Sequence, residues 1–206
     1  MKKLFIVGSM LLAFSLNMKA QDMDPKIGIK AGANLMMGGK FDVLGTDYTS
    51  KYVPGFQAGV FLDLPLSSKL SFSPEVIYSQ KGAKFEGAVA GTNGEIKTKL
   101  GYIDVPVLLT INATPEFNFV IGPQASFLIN HETKTYVNGA ETASNTKKDD
   151  LRKSIAAGVV GMGYKFSPNL NLNARYSMDF QSVANDNINQ DKARLSGFAL
   201  SLGYSF

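Results

Sequence analysis

Glu75 and Asp104 fall on matching positions of alternating segments, and two acids facing one space could share general acid and base work. Lys30, Asp63, Arg175 and Asp179 occupy the same kind of position. Cations interleaved with acids favour an ion-pair network over a catalytic pair. The expectation is a buried structural cluster in which Lys30 and Arg175 meet some of Asp63, Glu75, Asp104 and Asp179. His131 is the one histidine, in the stretch HET at 131–133. A serine–histidine hydrolase needs a serine and an acid placed beside the imidazole, and HET does not supply that arrangement. One histidine and no cysteine leave no zinc site and no disulfide or thiolate chemistry to expect. The glycines of GVVGMG, 158–163, precede no helix that would present its N-terminus to a phosphate. They read as packing room. No cofactor and no enzymatic activity are expected.

The elements that must position these side chains are strands. Period-two alternation recurs in KIGIKAGANLM, PGFQAGVFLDL, LSFSPEVIYSQKG, KLGYIDVPVLLTI and FNFVIGPQASFLI. It continues in LRKSIAAGVVGMGYKF, LNLNARYSMDF and FALSLGYSF. That makes eight strands. In each, one face is apolar, as with Phe56, Ala58, Val60, Leu62 and Leu64. The other face carries Gly, Ser, Asn, Gln and the scattered charges. Short turns follow the second, fourth and sixth strands, at PLSSK, NATPE and SPN. Long polar loops are expected near 37–51, 83–97, 131–150 and 181–193. Short turns at one end and long loops at the other are the habit of an outer-membrane barrel.

Eight strands enclose an interior that side chains just fill. Glycines and paired charges suit that interior, and the apolar face then meets lipid. The fold class expected is all-β, an eight-stranded antiparallel up-and-down transmembrane β-barrel. Pro74, Pro106 and Pro123 lie mid-strand, where each should mark a bulge or a break in a ladder. Tyr164, Phe166, Tyr204, Phe206, Phe72 and Phe117 gather near the short-turn ends, as an interfacial girdle would.

The chain opens with MKKLFIVGSMLLAFSLNMKA, two lysines before an apolar run and then small and polar residues. That is the layout of a cleaved signal peptide, 1–20, and the run is too short for a membrane helix of about 20 residues. The barrel domain is then 21–206, exported to the outer membrane. Formal charge is +4, but Lys2, Lys3 and Lys19 fall in the leader. The remainder is near neutral, so no nucleic-acid partner is expected.

KIGIKAGANL, GFQAGVFLDLPLSSKLSFSPEVIYSQKG, YIDVPVLL, FVIGPQASFLI and GMGYKF occur in this order. In these stretches the chain resembles the PorT-like outer-membrane β-barrel family, the porin family proteins of Bacteroidota. The likeness runs from about Lys26 to Phe206. It implies an eight-stranded barrel and no single activity. Such proteins often carry an acidic residue early in the sixth strand, where this chain has Arg152, Lys153 and Ser154. The final alternation of Phe198, Leu200, Leu202, Tyr204 and Phe206 resembles the C-terminal signal read by the barrel-insertion machinery.

The function expected is a structural or interaction role, with the outer loops as the binding surface. Partners would be outer-membrane lipid and lipopolysaccharide, the insertion machinery and envelope proteins. The alternatives are a narrow pore for small solutes or ions, and a lipid-modifying barrel enzyme.

Overall fold

A period of two places successive side chains on opposite faces of a strand. The computed structural model describes residues 24–43, 46–89, 92–146, 151–184 and 194–206, and its strands follow those alternating runs. The leader expected over 1–20 lies outside the described residues. The strands are β1 (Lys26–Met37), β2 (Lys40–Val43), β3 (Thr46–Thr49), β4 (Val53–Ser67), β5 (Leu70–Val89) and β6 (Thr92–Asn112). They continue as β7 (Phe117–Val137), β8 (Ala140–Asn145), β9 (Ser154–Lys165), β10 (Leu170–Asp179) and β11 (Ser196–Ser205).

Each of β1, β4, β5, β6, β7, β9, β10 and β11 pairs antiparallel with the next, and β11 returns to β1. The ring is therefore closed with eight members. Closure runs through the chain end, where Phe206 N–H donates to the Ile27 carbonyl at 2.8 Å. The three short turns share one device. A hydroxyl of Ser67, Thr114 or Ser167 accepts backbone N–H groups two or three residues later.

Each mid-strand proline marks a break and none marks a bulge. Pairing of β4 with β5 passes from Phe61–Glu75 to Leu64–Phe72 in unchanged register, skipping Pro74. Pairing of β5 with β6 skips Pro106 between Pro74–Val107 and Ile77–Asp104. Pairing of β6 with β7 skips Pro123 between Pro106–Gln124 and Leu109–Ile121. Three successive seams thus each lose pairs where a proline has no N–H to donate.

The apolar face points outward. Val60 is 49 % exposed, Leu200 53 % and Phe206 67 %. So much contiguous exposed apolar surface fits lipid rather than water. Aromatic side chains ring both ends of this band. Phe117–Phe119, Tyr164–Phe166 and Tyr204–Phe206 stack edge to face at the short-turn end. Phe56–Tyr78 and Tyr176–Phe198 sit at the other end. The step from Phe198 to Phe206 climbs about 21 Å at the usual tilt, close to the apolar height of such barrels.

Most of the loop expected over 181–193 lies outside the described residues, and other expected loops hold strand. The stretch expected as a loop over 83–97 is the upper part of β5 and β6, and 131–145 is the upper part of β7 followed by β8. Asn138 and Gly139, both at positive φ, make the tight turn between β7 and β8. Polar residues on both faces hid this alternation from a reading tuned to one apolar face. Together these segments rise above the ring as a collar of four strands, in the order β5, β6, β7, β8.

Candidate functional site

The lumen is lined by residues of the second parity, and glycines open space in it. A Cβ on Gly161 would lie 2.8 Å from Arg175 Cγ, so only glycine leaves the arginine its path into the lumen. The Arg175 guanidinium donates to Glu75 Oε2 at 2.7 Å and Oε1 at 2.8 Å. Lys30 Nζ donates to the same Oε1 at 2.8 Å. The Lys30 and Glu75 side chains are each 2 % exposed. Burial of charge is tolerable here because the carboxylate is bonded on both oxygens. Lys30 also lies over the Phe61 ring, 5.5 Å from its centroid.

Asp104 belongs to a separate centre. Its partner is Lys81, at 3.0 Å. Lys81 also donates to Ser126 Oγ at 3.3 Å and stands 4.9 Å from the centroid of the Tyr102 ring. Asp63 makes one long contact, accepting from Ser73 Oγ at 3.4 Å. Asp179 is buried without an ion pair among the described residues, and its backbone N–H donates to the Leu195 carbonyl. So among the described residues the acid that Lys30 and Arg175 meet is Glu75. Lys81 was the residue missed, although it shares the parity of Glu75 and Ser79.

Two cavities flank the Glu75 centre. One of about 300 Å³ opens at the short-turn end and reaches Lys30, Glu75 and Arg175. The other, about 30 Å³, lies beyond Arg175 and is lined by Asn34, Ser79, Lys81 and Asp104. Toward the collar the lumen is capped by an apolar cluster of Met36, Leu100, Tyr102, Ile155, Val183 and Leu195. A lumen holding only small and polar groups does not describe this end.

Glu75 accepts three hydrogen bonds from two cations, which holds it as the ionised centre of an ion-pair network. His131 Nε2 is bonded to Thr133 Oγ1 at 2.8 Å. Among the described residues no group of three His, Cys, Asp or Glu side chains gathers as a metal site would require.

On the collar's outer face Glu86 is bonded to Lys51 and Lys84. Hydrogen bonds, first from Lys51 and then from Lys84, hold its carboxyl down to about 2. Lys84 is raised in return, by Glu86 first and then Glu95. Lys134 is raised by its hydrogen bond to Glu141.

The C-terminal residues Phe198, Leu200, Leu202, Tyr204 and Phe206 all face outward. They lie on β11, the strand that closes the ring.

Residues 19–185 match the family model of an outer membrane protein beta-barrel domain. No curated protein matches in sequence. Solved structures of outer-membrane proteins are similar to the chain. The attachment invasion locus protein Ail of Yersinia pestis is 16 % identical, with 89 % of this chain and 100 % of that one covered and a TM-score of 0.51. Neisserial surface protein A is 15 % identical over the same shares, with a TM-score of 0.49. The outer membrane protease OmpT of Escherichia coli is 10 % identical, covering 88 % and 96 %, with a TM-score of 0.45.

Proposed function

This chain belongs to the outer membrane protein β-barrel domain family, and from that premise we propose a non-enzymatic interaction role. The barrel anchors and displays; the collar and outer loops bind. One observation carries this reading: the lumen is obstructed twice in series. The Arg175–Glu75–Lys30 centre fills its middle, and the apolar cluster around Met36, Tyr102 and Leu195 caps its far end. Material passing through would have to displace both. What is left for function is the outward surface, where β5, β6, β7 and β8 rise above the ring.

The protein resides in the outer membrane. Within the family we assign it to the PorT-like barrels of Bacteroidota, on the stretches KIGIKAGANL and YIDVPVLL among others. Residues 1–20 serve as its cleaved export leader, and the outward row ending at Phe206 is what the insertion machinery reads. Lipid, lipopolysaccharide and envelope proteins are its partners. The second reading, a narrow pore, draws on Arg175 bordering both cavities. Recording from the purified barrel in planar bilayers separates the two. The expected trace has no steady conductance steps, and reproducible steps would replace the closed-barrel reading with the pore.

A further inference from the structure

Lys51 bridges Lys84, Lys84 faces Lys97, and Lys97 faces Lys134. Four lysines therefore stand side by side across neighbouring segments on the collar's outer face. Like charges directly opposite one another repel, so a row of this kind costs stability. Two residues nearer the membrane, Lys99 faces Glu132. Two residues farther away the sign reverses, with Glu86 facing Glu95 and Glu141 beside Tyr136.

The charges are thus sorted by height, with five lysines and one glutamate low and three glutamates high. The pairs Lys51–Glu86, Lys84–Glu95 and Lys134–Glu141 tie the two layers together. Lys97 and Lys99 have no carboxylate partner among the described residues.

These rows share the outward parity of the apolar rank Tyr78–Ile103–Phe127 directly below. Lys99 stands four residues above Ile103, about 10 Å along the axis at the usual strand rise and tilt. Its flexible stem lets the ammonium reach back toward the leaflet. A cationic layer at the edge of the apolar band is placed to meet anionic headgroups, and its anionic upper layer keeps that attraction directed downward.

Resting on the closed-barrel reading, we propose that Lys97 and Lys99, flanked by Lys51, Lys84 and Lys134, bind the phosphates of an outer-leaflet glycolipid against the outside wall of β5, β6 and β7.

The test uses the full barrel folded in neutral detergent, with bisphosphorylated lipid A as probe and bound lipid counted by native mass spectrometry. Loss of two ammonium groups in Lys97→Gln/Lys99→Gln should weaken binding about thirtyfold. Neither lysine holds an ion pair among the described residues, so the pairing seen in the collar is left intact, and a heat-modifiable gel shift verifies folding. Glu132→Gln, which removes the low carboxylate, should tighten binding. Lipid A stripped of both phosphates should bind wild type no better than the double variant does. Equal affinity for the two lipids, or an unaffected double variant, overturns the proposal. Full competition by inorganic phosphate would overturn the lipid as source and leave a small-anion site. Conductance steps in planar bilayers with lipid binding intact would sink the closed-barrel reading alone.

Discussion

Arg175 on β10 and Glu75 on β5 are bonded through both carboxylate oxygens, at 2.7 and 2.8 Å, although one hundred positions separate them. In the ring β5 and β10 are four strands apart in either direction. The pair therefore spans the barrel's diameter. Lys30 enters from β1, midway between them, and completes a three-way brace.

Breaking that brace should be costly. Removing one member of a buried pair orphans the other, which typically costs about 3–5 kcal/mol. Arg175→Ala leaves Lys30 on Glu75, whereas Glu75→Ala leaves two buried cations facing each other. The expected order of destabilisation is Glu75→Ala beyond Arg175→Ala. Urea unfolding of the detergent-folded barrel measures it, and unchanged midpoints would show that the brace carries no stability.

The same arginine should not act as a sufficient gate. Beyond it lies the apolar cap of Met36, Leu100, Tyr102, Ile155, Val183 and Leu195. Arg175→Ala is expected to remain silent in planar bilayers. Steady steps from that variant alone would mean that the cap does not seal.

Glu86 should titrate near 2 rather than at its ordinary 4.5, because Lys51 and Lys84 hold the charged form. The folded value lies below the unfolded one. The pairing therefore contributes in full above the ordinary value and is lost as pH falls through about 2. Solvent screens this exposed cluster, so the readout is the carboxyl carbon shift of Glu86 rather than an unfolding curve. Lys51→Ala should move the midpoint upward; an ordinary midpoint in the wild type would contradict the cluster.

Phe206→Ser should lower the amount of folded protein in the outer membrane. The residue is 67 % exposed, and its ring meets Tyr204 edge to face. Its backbone bond to Ile27 would survive the substitution. Assembly should therefore suffer more than the stability of barrel already inserted. Fractionation of cells carrying each form tests this, and equal yields would remove Phe206 from the insertion signal.

Strand parity was legible in the sequence because lipid and lumen impose opposite chemistry on alternate residues. Val60 and Leu200 face out and Lys30, Glu75 and Asp104 face in, as alternation requires. The collar was not legible, since polar residues stand on both its faces and Lys84, Lys97 and Lys134 show no apolar contrast. The Asn138–Gly139 turn was the available signal there. The cap was equally hidden: Val183 and Leu195 are single apolar residues in polar stretches, with no period to reveal a common destination. Within the charge cluster, parity places Lys30, Glu75 and Asp104 on the buried face, where Lys81 joins them. It could not assign Asp104 to Lys81, because which partners meet depends on shear around the ring.

The ladder stops at Met37, Ser154, Asp179 and Ser196 on one flank, yet climbs to Val89, Thr92 and Val137 on the other. A neighbour diffusing in the plane of the bilayer thus meets two different sides. Among the described residues the paired ladder ends low along β9, β10 and β11, and along β5, β6 and β7 it forms a palisade. The molecule has a front and a back, so which way it is turned decides what it can touch.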